Sequence, residues 1–263
     1  MDLAHAIHYI QKNGSSIEQA RLNSLLYNQP APPEIIIEFC SSQNQDGSWS
    51  PFWAANYNSL DATCFHLAQA HQLGVSMNDP AIRKAVTFIA NRQKSDGTWE
   101  EEQSIAEIAP PWAKTGHIHA KLYLTANCGY WLAMAQAYQE KVRIAGSYLA
   151  QKLDERGQLS SFMQTYWLSV GIWQEIGLVK QTKQVIRYLE TRLGDFSANN
   201  LTWMITALRM VDIPTKHTLI AEALARLMLL QQKDGSWQSD DGSEFDTHTT
   251  LEALFALKLC EKM

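Results

Sequence analysis

One heptapeptide is written three times in this chain: QNQDGSW at 43–49, QKSDGTW at 93–99 and QQKDGSW at 231–237. Each copy places Gln six residues before Trp and Gly two before it. Between the copies the apolar period is helical. Ile82, Ala85, Val86 and Ile89 follow the i, i+3, i+4, i+7 spacing, and Leu219, Ala223, Leu227 and Leu230 behave similarly. No long run alternates as a strand would, so the chain reads as nearly all-α. The glycine is expected at the C′ position of a preceding helix, where a left-handed backbone is cheap for Gly. The Asp-Gly pair then turns the chain, Trp folds back over the helix end, and Gln bonds free carbonyls there or in the neighbouring turn.

Weaker versions of the unit occur at Gly14 with Ser16, Gly157 with Leu159, and Gly194 with Phe196. With Gly47, Gly97 and Gly235 they give six glycine turns, hence six helical hairpins. The first helices of the hairpins are expected at 2–13, 32–43, 79–93, 140–154, 180–193 and 215–232. The second helices are expected at 16–28, 58–73, 122–138, 161–176, 197–211 and 245–260. The first set is amphipathic. Several of the second set, such as YLTANCGYWLAMAQAY and FMQTYWLSVGIW, are apolar nearly all round and so buried all round. An outer and an inner ring follow, which makes residues 1–263 one all-α domain, a single (α/α)6 barrel or toroid. An open superhelix of hairpins is the alternative.

Composition narrows the function classes. Hydrophobic residues make up 46% of the 263, enough for a large core, and the net charge of −5 comes with no basic run. Nucleic acid is disfavoured as a partner, because phosphate binding needs a concentrated basic surface. The N-terminal MDLAHAIHYIQKNG lacks the features of a signal peptide, and no apolar stretch is long enough to span a bilayer. A cytoplasmic protein is expected, with peripheral membrane contact compatible with it. Cys40, Cys64, Cys128 and Cys260 form no CxxC pair and read as reduced thiols.

Gln-x-x-x-Gly-x-Trp after a helix is the QW motif. On its three copies the chain resembles the terpenoid cyclase and protein prenyltransferase toroid superfamily, especially its squalene–hopene cyclase side. Cyclases of that kind generally use two toroidal domains, and this chain has room for one. A fold hosts many chemistries, so function rests on the site.

The first turns of the inner helices carry the candidates, since helix N-termini share one mouth of a toroid and favour negative charge. NSLDATCF at 58–65 is similar to the acid segments of these cyclases, and the resemblance implies that Asp61 protonates an alkene or epoxide, with Thr63 two residues on. Such an acid must keep its proton in a dry cavity. Ser59 and Ala62 stand where the squalene–hopene pattern has further carboxylates. A plain first-turn Asp held by the helix dipole is the competing reading. EFDTHTTLEALFAL places Asp246 and His248 at the corresponding turn of the last inner helix, beside Asp240, Asp241 and Glu244. Asp246 and His248 are candidate catalytic groups, with His248 a hydrogen-bond partner or base, against capping and core roles.

No metal or other cofactor is expected. The prenyltransferase side of the superfamily implies a zinc test, for which Asp61, Cys64, His66, His117, His119 and His248 are the available ligands, but its Asp-x-Cys pairing is absent. The long link from Glu100 to Tyr123 reads as a lid carrying Pro110, Pro111 and Trp112, or as an ordered surface loop. His117 and His119 alternate there as in an extended segment.

Nine tryptophans exceed ordinary structural need. Trp53, Tyr57, Phe65, Trp112, Trp131, Tyr166, Trp167 and Trp203 are candidate substrate-binding aromatics, with Asn127 and Asn200 as polar groups at the same mouth; about half of such aromatics are expected in the core. Their faces stabilise a cation by about 0.5–2 kcal/mol each, which suits a carbocation and equally an uncharged apolar ligand. Three functions follow: acid-initiated cyclisation of an apolar isoprenoid-like substrate, a non-catalytic toroid binding an apolar ligand or protein, and zinc-dependent prenyl transfer. Substrate and oligomeric state are not legible.

Overall fold

Among the described residues twelve α-helices form, close to where the glycine turns and apolar runs place them. The structure, a computed structural model, describes residues 1–261. The helices are α1 (Leu3–Asn13), α2 (Ser16–Tyr27), α3 (Pro33–Ser41), α4 (Leu60–Gln72), α5 (Pro80–Asn91), α6 (Ile118–Met134), α7 (Gln139–Lys152), α8 (Met163–Glu175), α9 (Val179–Arg192), α10 (Ala198–Met210), α11 (Thr218–Leu229) and α12 (Asp246–Leu259). Among the described residues there is no strand, only one isolated bridge between Trp49 and Ser59.

The largest departure from the expected boundaries is α6, which starts at Ile118 and ends at Met134. Gly116, at φ +80°, turns the chain early, and Gln136 and Tyr138 at φ +49° and +52° end the helix early. His119 therefore lies on the first helical turn, not in an extended segment, and His117 is the residue before it.

The repeated heptapeptide ties each hairpin to the next. Gln43 Nε2 donates to Gly47 O at 2.9 Å and to Ala81 O of α5 at 2.8 Å. Gln93 does the same to Gly97 O and to Lys141 O of α7, and Gln231 to Gly235 O and to Asp2 O before α1. The Trp rings are buried. Trp99 Nε1 donates to Ile89 O and Trp237 Nε1 to Leu227 O, each back onto the preceding helix, while Trp49 Nε1 donates to Ser42 Oγ.

The glycine is not at C′. Gly47 closes a turn by donating its N–H to Asn44 O, six residues beyond the end of α3. It is needed there twice over: φ is +94°, and a Cβ would come within 2.5 Å of the Lys84 backbone on α5. Gly47→Ala is expected to cost about 2 kcal/mol or more, read as a fall in denaturation midpoint. The weaker turns at Gly14 and Gly194 do not use a left-handed glycine at all. Gly14 sits at φ −77° after α1, and Gly194 lies in a short 3-10 turn.

A threonine completes the device. The backbone N–H of Trp49, Trp99 and Trp237 donates to Thr63, Thr125 and Thr250, each of whose hydroxyls donates to the carbonyl four residues back in sequence. Thr63 is thus a packing residue of the repeat rather than a partner of Asp61.

The chain divides into two compact units. Unit 1 comprises residues 1–39, 72–75 and 189 onward, and unit 2 comprises 40–71 and 76–188. Unit 1 buries Arg21 of α2 completely. Its guanidinium donates to Gln72 Oε1 through Nε at 2.8 Å and to Glu252 Oε1 of α12 at 2.5 Å, and Nη1 lies 3.4 Å from His248 Nδ1. Gln72 Nε2 donates to both oxygens of Glu252. A buried guanidinium is tolerated because a carboxylate and an amide meet it in the same pocket.

Candidate active site

Asp61 is the second residue of α4, and unit 2 closes three elements around it. Burial raises its carboxyl pKa above the ordinary 3.8, opposed by hydrogen bonds from Tyr123 and Trp112. Tyr123, on the second turn of α6, donates its hydroxyl to Asp61 Oδ1 at 2.8 Å. Trp112, from the long link, donates Nε1–H to Oδ2 at 2.9 Å. Asn127, one turn beyond Tyr123, donates Nδ2–H to the Tyr123 oxygen at 3.2 Å and thereby points the phenol's own proton at Asp61.

The link is pinned rather than loose. Ile105, Ala109 and Ala113 form a small apolar cluster on which Trp53, Tyr57 and Trp112 pack. Glu100 accepts the Gly116 N–H and pairs with Lys94 and Lys121, and the Thr115 hydroxyl donates to Glu101 O. The indole of Trp112 is thus carried over the Asp61 carboxyl by a packed loop.

Glu101 underlies the other side. Its Oε1 accepts from the Ser59 hydroxyl at 2.7 Å and the Asp61 N–H at 3.1 Å. Its Oε2 accepts from the Leu60 N–H at 3.1 Å and the Tyr57 hydroxyl at 3.2 Å. The start of α4 is therefore capped by an acid 40 residues away in sequence. Ser59 adds a local cap by accepting the Ala62 N–H. Burial raises Glu101 as well, and the neighbouring Asp61 carboxyl adds to the rise, against the pull of these donors.

Aromatic edges complete the enclosure. Phe65, one turn beyond Asp61, keeps 45% of its surface exposed. Phe162 meets Tyr123 edge-on at 6.1 Å. Trp53 and Tyr57, in the connection between α3 and α4, lie 6.3 Å apart.

Of the residues expected to form the site, Asp61, Trp53, Tyr57, Phe65, Trp112 and Asn127 lie in this neighbourhood. Others do not. Trp131 is buried edge-on to Tyr130, and Tyr166 and Trp167 are core. The Tyr166 hydroxyl donates to Leu159 O and accepts the Leu159 N–H, so it staples its own turn. With 3% of its surface exposed it has no face to offer a ligand.

Asp246, His248, Asn200 and Trp203 belong to unit 1. Asp246 accepts the Ser239 N–H at 2.7 Å, and Asn200 bonds the Ser197 hydroxyl at its own helix start. His248 faces Arg21 through Nδ1 and Glu252 through Nε2. Burial lowers its pKa, Glu252 opposes this, and Arg21 adds to the lowering. A base with both ring nitrogens so placed is a packing group, and the same holds for Asp246 as an anchor of its loop.

The zinc ligands do not converge. Cys64 Sγ lies 4.0 Å from Cys128 Sγ, while the His66 ring stacks on Trp49 at 4.9 Å with Nδ1 on Ala62 O. His119 Nδ1 meets Ser160 O. Among the described residues no group of three or more such side chains is placed to hold a metal ion.

Two residues that bond Asp61 were missed by the sequence reading. Glu101 sits in the run Glu100–Glu102, which reads as a solvated charge patch. Its only signal is its place two residues after a motif Trp. Tyr123 carried a fainter one, its i, i+4 spacing to Asn127.

The family model for the squalene–hopene cyclase C-terminal domain matches residues 28–165, a stretch holding Asp61, Glu101, Trp112 and Tyr123. A probable squalene–hopene cyclase from Sinorhizobium fredii is 31% identical over 83 residues, 32% of this chain and 12% of that protein. A squalene–hopene cyclase from Bradyrhizobium diazoefficiens is 36% identical over 61 residues, 23% of this chain and 9% of that protein. The matched region is thus about a tenth of the length of these curated relatives.

A protein from Actinoplanes of known structure matches over 98% of both chains, with TM-score 0.68 and 16% identity. The type II terpene cyclase MstE from Scytonema, in complex with geranylgeranyl dihydroxybenzoate as substrate, matches over 94% of this chain and 88% of that one, with TM-score 0.59 and 14% identity. At these identities the likeness shows the fold class, the all-α α/α toroid. The coverage also shows that a terpene cyclase chain can be close to this one in length.

Proposed function

Because the chain belongs to the squalene–hopene cyclase C-terminal domain family, we propose that it is a terpene cyclase of the acid-initiated, class II type, with Asp61 as the proton donor. The reading takes residues 1–263 as one toroid domain and an isoprenoid or polyene as substrate. The observation that carries it is a carboxyl whose pKa burial raises, framed by the indole of Trp112 and the phenol of Tyr123.

In the first step the Asp61 O–H proton passes to a terminal alkene carbon. The π pair of the alkene forms the new C–H bond and leaves a carbocation at the other carbon. An epoxide would take the proton on oxygen and open its C–O bond to the same end. The next alkene of the chain attacks the cation and closes a ring, and loss of a proton or capture of water ends the sequence. Asp61 is left as a carboxylate, and the Trp112 N–H and Tyr123 O–H stabilise that charge. Each carboxyl oxygen keeps a second lone-pair position for the proton while these donors hold the first. Phe65, Trp53 and Tyr57 offer ring faces to the cation.

The test is incubation of the protein with a panel of linear isoprenoids, free and aryl-linked. A cyclised product is expected, an isomer of unchanged mass where proton loss ends the sequence or one water heavier where water is captured, and its yield should withstand a chelator. Recovery of every substrate in linear form would sink the reading.

One observation favours a second reading, a non-catalytic receptor for an apolar ligand: both Asp61 oxygens are occupied within the protein. Saturable binding of an isoprenoid with no turnover would select it.

A further inference from the structure

We infer that Glu101 is a positioning residue which takes the negative charge of a buried acid pair, so that Asp61 keeps its proton. The inference rests on the reading of Asp61 as the proton donor. Glu101 is buried, and its partners are two backbone N–H groups at the start of α4 and the hydroxyls of Ser59 and Tyr57. All four are neutral donors, and among the described residues no Lys, Arg or His forms an ion pair with it. Glu101 Oε1 lies 3.1 Å from the backbone nitrogen of Asp61 itself.

Two neighbouring carboxyls that meet protein donors and raise one another do not both ionise readily, and the one with more donors takes the charge. Glu101 has four donors, two of them at a helix N-terminus, where a carboxylate is favoured. Asp61 has two. The charge therefore settles on Glu101, and its field holds the proton on Asp61.

The other titratable groups facing Asp61 are Cys64 on its own helix and Tyr123 and Cys128 on α6. Burial pushes all three up, so they stay neutral around pH 7 and leave the assignment between the two acids. The environments of paired acids set their roles in this way.

The experiment uses the full chain without substrate. The carbonyl stretch of a protonated carboxyl is followed by infrared difference spectroscopy against pH, and the Asp61 band is identified by its loss in Asp61→Asn. In Glu101→Gln the size is kept and the charge is gone. The Asp61 band should then titrate about one pH unit lower or more. Where cyclisation is also measured, the fall of rate with rising pH should move down equally, about a tenfold loss on the alkaline side. A cap that served the helix alone would lower stability and leave that midpoint in place, and an unchanged midpoint overturns the inference.

A band that survives Asp61→Asn would assign the proton to Glu101 and overturn it too, and this arm needs no Glu101 variant to fold. If the titration moves as stated but no isoprenoid is cyclised, the assignment of charge stands and the proposed reaction fails.

Discussion

Asp61→Asn is expected to reduce cyclisation at least about a hundredfold, the lower end of what a positioned general acid supplies. The substitution leaves the site's geometry largely satisfied. The Asn carbonyl can accept the Trp112 N–H, which has no other role open to it, and the Asn amide can donate to the Tyr123 oxygen. Loss of rate would therefore report loss of the proton rather than collapse of the pocket.

Stability should move the opposite way. Asp61 binds its proton more tightly in the fold than in the unfolded chain, because its folded pKa is raised above 3.8. Its contribution is fully present below that value and is lost as pH rises through the folded pKa. Asn has no proton to hold. The variant should thus melt above the wild type at neutral pH, and the gap should close in acid. A neutral-pH melting point below wild type, or a gap unaffected by pH, would contradict the burial of an acid here.

The largest loss of stability is expected at Trp99. Its ring is fully buried, its indole N–H donates to Ile89 O at 2.7 Å, and its backbone N–H is taken by Thr125. Trp99→Ala leaves a large void and takes one of two hydrogen bonds from the Ile89 carbonyl, which keeps the Arg92 N–H, and should cost about 3–5 kcal/mol. Because Gln93 and Gly97 of the same repeat hold α7, the damage should spread to that hairpin. Chemical denaturation with a parallel Trp99→Phe variant checks this. Phe should recover most of the loss, since it refills the space and leaves out one hydrogen bond. Equal stability of Trp99→Ala and wild type would remove the repeat as a structural clamp.

Local signals explain why the helices were readable and much of the site was not. Glycine turns and helical apolar spacing placed the twelve helices because both are properties of neighbours in sequence. The clamp was only half visible. Gln43 reaches Ala81 38 residues on, and Gln93 reaches Lys141 48 on, so no window contains both ends. The threonines that seat the Trp backbones follow at 14, 26 and 13 residues, because the links differ in length. The long link hid the second of these partnerships, between Trp99 and Thr125.

At the candidate site, Asp61 was singled out through its helix start and a family likeness. Glu101 looked like one charge among three. Tertiary placement alone sets it apart from Glu100, which pairs with two lysines, and Glu102, whose carboxylate meets Arg92. His248 failed in the other direction. A histidine at an inner-helix start carries the same signature whether it faces substrate or, as here, a buried arginine.

The most direct test of Asp61 as an initiating acid is turnover in deuterium oxide, after the carboxyl proton has exchanged. The proposed protonation of carbon predicts a cyclised product carrying one carbon-bound deuterium that survives washing into ordinary water. A cyclised product with no deuterium on carbon, from an alkene substrate, would show that the first bond was made by some other route.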